Sequence, residues 1–300
     1  ATPSSSPLAG TGTSLDFGFQ TVAGTYTVVA TNNITGCTNT MVGSALITVN
    51  PLPNAYAVTG GGGYCTGGTG TAVGLATSDV GISYQLYLTG SPVGAPLAGT
   101  GAALNFGLQT AAGVYTIVGT NTITGCQNSM TGSATVTINP LPATYSVTGG
   151  GGYCAGGAGK TVGLGGSATG VNYQLFINGI PSGASVSGTG TAFTFGTYTT
   201  SGVYTVVATN ISTSCTSNMT GSAGVTVNPL PAMYIVTGGG SYCSGGGGVA
   251  VGLSNSDAGF SYQLYNATTA TGSAINGTGA AINFGYQTVA GTNYSVLATN

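Results

Sequence analysis

The chain has 300 residues and only four formal charges, Lys160, Asp16, Asp79 and Asp257; Arg, Glu, His and Trp are absent, and 57 residues are Gly. One Lys cannot supply the basic footprint that releases counterions from nucleic acid. General acid–base catalysis lacks its titratable groups, and zinc or calcium sites lack His and carboxylate clusters. Neither an enzyme, a cofactor nor a nucleic-acid partner is expected. Disorder is not expected, because it goes with low hydrophobicity and high net charge, and here 41% of residues are hydrophobic. No stretch approaches the roughly 20 continuous apolar residues of a membrane-spanning helix. No basic segment followed by an apolar one opens the chain, so no signal peptide is read.

Self-similarity organises the sequence. Cys37, Cys126 and Cys215 lie 89 apart, as do Cys65, Cys154 and Cys243. Tyr26, Tyr115 and Tyr204 keep the interval, as do Pro51, Pro140 and Pro229; Tyr294 slips by one, which places an extra residue near Asn293. This period is too long for a leucine-rich or ankyrin unit and suits a small β domain. The phase predicts four segments: 1–53, the C-terminal part of a repeat; 54–142 and 143–231, complete repeats; and 232–300, the first two thirds of another. Half a sandwich cannot bury its faces, so the 300 residues are expected to be a window on a longer array.

In chain order through the second segment, alternation and β-branched content predict strands at 56–59, 71–76, 82–88, weakly at 93–97, then 102–106, 114–120 and 133–139. Residues 60–63 are all Gly and read as a mobile break. Val73 and Leu75 share one face, as do Ile82, Tyr84, Leu86 and Leu88; Leu104 and Phe106 point inward. No helical period appears. Seven short strands with turn signals between them predict an all-β fold, an antiparallel sandwich repeated in tandem. The copies meet at Asn50-Pro51-Leu52-Pro53, Asn139-Pro140-Leu141-Pro142 and Asn228-Pro229-Leu230-Pro231. Pro-x-Pro favours an extended backbone, so these are expected to be rigid joints at Pro51, Pro53, Pro140, Pro142, Pro229 and Pro231, giving a rod-like array.

Ala112-Gly113-Val114-Tyr115-Thr116-Ile117 resembles strand F of immunoglobulin-type domains, with Gly two residues before a Tyr. The resemblance implies a tyrosine corner at Tyr26, Tyr115, Tyr204 and Tyr294, each hydroxyl tied to nearby backbone. The second Cys of that family falls where Ile117 stands, and its core Trp is missing; Leu86 or Tyr84 is expected in its place. The resemblance therefore implies an Ig-like sandwich without the usual inter-sheet disulfide. The run Tyr145-x-Val147-Thr148-Gly149 through Cys154, then Tyr173-Gln174-Leu175, then Gly202 to Asn210 and the Pro joint, is also similar to the Ig-like repeats of giant secreted surface proteins of Bacteroidota. That likeness covers the whole chain and implies export, by the type IX pathway, and display outside the cell.

Each complete repeat holds two Cys, 61 apart: Cys65 with Cys126, and Cys154 with Cys215. Two per unit in a Gly-rich extracellular array favours disulfides. A staple inside each repeat is the first expectation, with Cys37 and Cys243 paired outside the window. Cys126 with Cys154, 28 apart across a joint, is the other short spacing. The strand count bears on this: four passes between the two Cys bring them together, five separate them, and the weak strand near Val93 decides. Should they lie at opposite ends, cysteines at abutting domain ends would bridge neighbours instead; free thiols are the third alternative.

The remaining features read as structural. The Gly runs at 149–152 and 245–248 precede no Gly-Lys-Ser/Thr and open no helix, so they are not phosphate loops. Asp79 and Asp257 are equivalent but the third copy has Ala168, so they read as solvated turn residues rather than calcium ligands. Lys160 has no equivalent, which rules out a repeated isopeptide bond. Sequons such as Asn210-Ile211-Ser212 read as chance. On the outer face, Val29, Val118 and Val207, with Tyr87, Phe176 and Tyr265, recur every 89 residues as an apolar stripe, where a sandwich needs only one apolar face per sheet. Such a stripe marks a self-association surface. The expected role is a structural protein, an extracellular fibre or cell-surface stalk. The alternative is an adhesin that binds a glycan or surface multivalently through Tyr residues such as Tyr64 and Tyr153; ice or mineral attachment through Thr-rich faces is a lesser rival.

Overall fold

The computed structural model describes residues 5–290 and 293–300; the first four residues of the 1–53 segment lie outside them. All regular structure among the described residues is β-strand. The chain divides into two compact units, Ala1–Pro140 and Leu141–Asn300.

The first unit opens with two short ladders. β1 (Gly24–Tyr26), β2 (Val29–Thr31), β3 (Thr38–Thr40) and β4 (Ala45–Ile47) pair as β1 with β4 and β2 with β3. A complete repeat follows: β5 (Val58–Gly60), β6 (Gly62–Cys65), β7 (Thr71–Leu75), β8 (Ile82–Leu88), β9 (Ser91–Ala98), β10 (Leu104–Gln109), β11 (Gly113–Asn121), β12 (Gln127–Ser129) and β13 (Ala134–Asn139). One sheet has the order β10-β7-β5; the other runs β6-β13-β11-β8-β9, with β12 also on β11. β6 runs parallel to β13, and every other strand pair in the repeat is antiparallel. This two-sheet order, with an opening strand divided between the sheets and a parallel match to the last strand, is an Ig-like sandwich.

In the second unit, the strands from Val147–Gly149 to Ala223–Asn228 repeat both sheet orders, including the parallel pair. Those from Val236–Gly238 to Tyr294–Thr299 form two three-stranded sheets. The protein is thus a tandem array of Ig-like β-sandwich repeats.

Alternation builds the core. On β8, Ile82, Tyr84 and Leu86 are buried while Ser83, Gln85 and Tyr87 are only half-buried. Tyr84 and Leu86 together occupy the core with Val73, Leu75, Tyr115 and Ile117. The ladders at 24–47 show what the other strands contribute. Val28 is 38% exposed, whereas its equivalent Ile117, sandwiched between sheets, is 0% exposed.

The Gly run is an ordered crossing and not a mobile break. β5 lies in one sheet and β6 in the other, with only Gly61 between them. Gly60, Gly61 and Gly62 take φ of 89°, 80° and 114°, in the left-handed region that favours glycine. A Cβ at Gly60 would meet Ala72 O at 2.1 Å, and one at Gly61 would meet Thr135 O at 2.7 Å. The same crossing recurs at Gly149 and Gly150. The backbone therefore changes sheets by the shortest route, and only Gly fits.

Gly60→Ala should lower stability by about 2–4 kcal/mol, combining φ strain with a backbone clash. Gly90→Ala has a similar φ of 88° but open space around its Cβ, so it should cost only about 1 kcal/mol. Urea unfolding followed by tyrosine fluorescence compares the two; equal losses would mean that the close approach at the crossing contributes nothing.

Candidate functional site

Several recurring polar side chains of a repeat are turned on its own backbone. The Tyr115 hydroxyl donates to Ala111 O at 2.9 Å, Tyr204 to Thr200 O at 2.7 Å and Tyr26 to Val22 O at 2.9 Å, all four residues back. Tyr294 reaches five residues back, to Val289 O at 3.3 Å, as the extra residue requires. Ser78, Ser167 and Ser256 each donate through Oγ at 2.6 Å to a carbonyl 24 residues on, Ala102, Thr191 and Ala280. Each also accepts a backbone N–H, from Thr100, Thr189 and Thr278.

Sequence reasoning missed these serines, and it missed Gln85. The pairing of β8 with β9 shifts register between Tyr84 and Leu86. Gln85 Nε2 fills that bulge, donating to Leu86 O at 2.8 Å and Val93 O at 3.0 Å. Gln174 and Gln263 do the same. The recurring Tyr-Gln-Leu was the available signal.

Two readings of polar residues change. Asp79 is not a free turn residue: Tyr56 donates to its Oδ1 at 2.7 Å and Asn54 Nδ2 to its Oδ2 at 3.0 Å. Asp257 holds Tyr234 at 2.5 Å and the backbone N–H of Ala232 at 3.2 Å. Each carboxylate fastens the segment that follows a Pro joint. The carboxylates also hold the Tyr56 and Tyr234 hydroxyls above the usual tyrosine range, since an accepting anion favours the protonated phenol. Tyr64 and Tyr153 are not open stacking platforms either. Their rings pack against the core, and their hydroxyls donate to Thr110 O and Thr199 O.

The stripe residues lie where alternation puts them. Tyr87, Phe176, Tyr265, Val118 and Val207 are half-buried and Val29 is exposed. Tyr87 stands opposite Thr116 and Val118 opposite Gln85, so Tyr87 and Val118 are diagonal neighbours on the outer face. At the joints, Pro53 and Pro142 are buried, Pro231 is half-buried, and Pro51, Pro140 and Pro229 are exposed. Asn128 Nδ2 donates to Pro53 O at 2.8 Å, so the turn after β11 grips the joint before the repeat.

The staple inside each repeat is corrected. Cys126 and Cys154 are free thiols, as are Cys37 and Cys243, whereas Cys65 and Cys215 are disulfide cysteines. Geometry gives the reason. Cys65 stands beside Asn139, past the Gly113 end of β11, while Cys126 closes the turn on Asn121 at the other end. Five strands, β7 to β11, separate the two. The length of β11 alone, about 27 Å at about 3.4 Å per residue, far exceeds the Cα separation of about 4.4–6.8 Å that a disulfide allows.

A concavity of about 300 Å³ is lined by residues including Tyr242, Val249, Gln287 and Tyr294. In the two complete repeats the equivalent ground is covered by β6 with β13 and by Gly151–Cys154 with Ala223–Asn228. Among the described residues no group of three metal-ligating side chains converges.

No family model and no curated protein matches the chain. Among solved structures it is similar to Sidekick-1 immunoglobulin domains 1–4, with 13% identity, 93% of this chain and 79% of that chain covered, and a TM-score of 0.30. It is also similar to the N-terminal eight Ig domains of Down Syndrome Cell Adhesion Molecule, with 14% identity, 93% and 46% covered, and a TM-score of 0.31. Chicken CNTN1 FN1–FN3 domains give 12%, 82% and 92%, and 0.26. The strand pairing, and not these similarities, defines the fold.

Burial pushes the Tyr84, Tyr115, Tyr173 and Tyr204 hydroxyls above the ordinary tyrosine value. The folded chain therefore keeps protons that the unfolded chain sheds near about pH 10. Stability contributed by these groups should be present below about pH 10 and lost as pH rises through the folded values. Urea midpoints between about pH 8 and pH 12 should fall above about pH 10, and a rising midpoint there would contradict the assignment. Tyr115→Phe should remove one hydroxyl–carbonyl bond and about 1 kcal/mol, read from the same midpoints at neutral pH.

Proposed function

We propose that this chain is structural material: tandem Ig-like domains of an extracellular fibre or cell-surface stalk that pack sideways through the outer-face stripe. The observation that carries this reading is the recurrence of the inward-turned polar bonds. Ser78, Ser167 and Ser256, Gln85, Gln174 and Gln263, and the corner tyrosines bond to the chain's own backbone at the same register in each copy. Catalysis and specific polar recognition both need convergent, uncommitted groups, and these recurring groups are committed to self-support. The rarity of charge removes the repulsion that keeps soluble proteins apart. Pro92 and Pro96 lie on the edge strand β9, and Pro on an edge blocks strand addition. Association through the face of the sheet is therefore favoured over association through its edge. Disulfide cysteines support an oxidising, extracellular setting, and the resemblance to secreted Bacteroidota repeats supports export by the type IX route. The adhesin reading draws less support, because the tyrosines proposed for ring stacking are packed on the core.

Electron microscopy of the purified chain at high concentration should show ordered fibres with an axial repeat of about 35–45 Å, set by strand rise plus a joint. Replacing Tyr87 and Phe176 together by Lys should weaken association at least about tenfold in sedimentation, because a charge buried in an apolar contact is costly. A strictly monomeric wild type that binds glycans would replace this proposal with the adhesin.

A further inference from the structure

We propose that residues 45–50 of one copy of this chain insert as a strand into the 232–300 segment of a second copy, beside residues 240–243, and so join the two molecules. The acceptor is read from the complete repeats. In each of them a Gly-Gly-Tyr-Cys strand runs parallel to an apolar-Thr-apolar-Asn strand: Gly62 to Cys65 beside Val136 to Asn139, and Gly151 to Cys154 beside Val225 to Asn228. On its other side the second strand of each pair holds the strand of the corner tyrosine, with Ala134 opposite Tyr115 and Ala223 opposite Tyr204. In the 232–300 segment both flanking elements are present, and among the described residues no strand stands between them. Residues 240–243 lie in no ladder, and Tyr294–Thr299 pairs only with Ser261–Asn266. Tyr242 and Tyr294 line the concavity that results. Tyr294 is half-buried there, whereas Tyr115 and Tyr204 are buried.

The donor has the matching pattern. Residues 47–50 are Ile-Thr-Val-Asn, the same alternation one period before 136–139. Among the described residues β4 pairs with β1 alone, so its other edge is open. Ile47 is half-buried where Val136 and Val225 are buried, and Leu46 and Val49 are exposed. An open edge is a template for a strand of another chain. The register of the complete repeats sets Ile47 opposite Gly240, Thr48 opposite Ser241, Val49 opposite Tyr242 and Asn50 opposite Cys243. Ser241 stands where the complete repeats have Gly63 and Gly152. A Cβ at those two positions would meet Asn Nδ2 at 2.6 and 3.1 Å and Thr Oγ1 at 3.0 and 3.1 Å. All four atoms are ends of side chains that can turn aside, so a Ser fits.

The exchange favours the joined state. Ala45 gives up Tyr26 and gains Tyr294, like for like. To that are added a parallel ladder and the burial of Ile47 against apolar neighbours. Donor and acceptor are different surfaces, so the contact is heterologous and can link one copy to two others in an open series. In the sheet order of a complete repeat this place lies at the end away from the Pro-bearing β9. The contact goes beyond sideways packing and holds whether or not the outer-face stripes meet.

Crosslinking between two differently substituted full chains reads this contact alone. One carries Thr48→Cys and the other Ser241→Cys; they are mixed, oxidised and mapped by mass spectrometry. A reductant-sensitive species of twice the chain mass should form, with a disulfide between positions 48 and 241. Val49→Cys in place of Thr48→Cys points to the other face and should give no such bond. Absence of the 48–241 bond in the mixture, or equal yields from positions 48 and 49, overturns the proposal. A single chain with both substitutions should form no internal 48–241 bond at high dilution; if it does, the strand belongs to the same copy and the proposal fails. A fluorescent peptide of residues 43–50 needs no variant chain. Its anisotropy should rise with dilute wild-type protein, and that of the same peptide with Ile47→Asp should not; equal binding or none overturns the assignment.

Discussion

A repeat is organised by a backbone that must cross from one sheet to the other within three residues. At Gly60 and Gly61 the neighbouring carbonyls leave no room for a Cβ, so the crossing constrains the sequence before any side chain is chosen. From it follows the division of the opening strand, β5 beside β7 and β6 beside β13. The parallel β6–β13 pair in turn carries Cys65 down to Asn139 and the joint. Displacing the crossing would move the cysteine away from the end of its repeat. The Gly runs, which resemble flexible spacers in composition, are among the most tightly specified backbone in the chain.

A second consequence concerns how a fold holds together almost without ionic chemistry. Buried tyrosines take the place of charges. Tyr84, Tyr173 and Tyr262 supply large apolar rings to each core while their hydroxyls accept the backbone N–H of residues 79, 168 and 257. A tyrosine ring buries much apolar area and keeps one polar handle, so it can satisfy a turn from inside the core. Asp79 and Asp257 serve the same end from outside, holding Tyr56 and Tyr234. Where Ala168 replaces the acid, the turn keeps its bond to Tyr173. The carboxylate is therefore an auxiliary, consistent with its absence from one copy.

Much of this was legible in the residues. The period, the joints and the strand at 82–88 could be read because alternation is strong and the copies repeat it. The corner tyrosines carried a local Gly-x-Tyr signal. The short strands β6 and β12 were not legible: Gly62–Cys65 holds two Gly, and Gln127–Ser129 is polar and three residues long, so neither shows a period. The weak strand near Val93 proved decisive. Its alternation is broken by a bulge, Gly94 at positive φ and two Pro, and on it depended whether Cys65 and Cys126 share an end. The outer-face stripe could be placed by alternation, but what covers it depends on other molecules and is not written in one chain.

The parallel match of β6 with β13 decides how a complete repeat responds to being pulled. The chain comes in beside Thr131, where Ala57 bridges it, and leaves at Asn139, at the opposite end of the sheet. Tension applied through those two points draws β6 and β13 in opposite directions along their shared axis. The four register pairs from Gly62–Val136 to Cys65–Asn139 are then sheared together, whereas a hairpin pulled from its open end would unzip one bond at a time. Resistance to extension is thus concentrated in one short ladder, whose strands close the sandwich between chain entrance and exit.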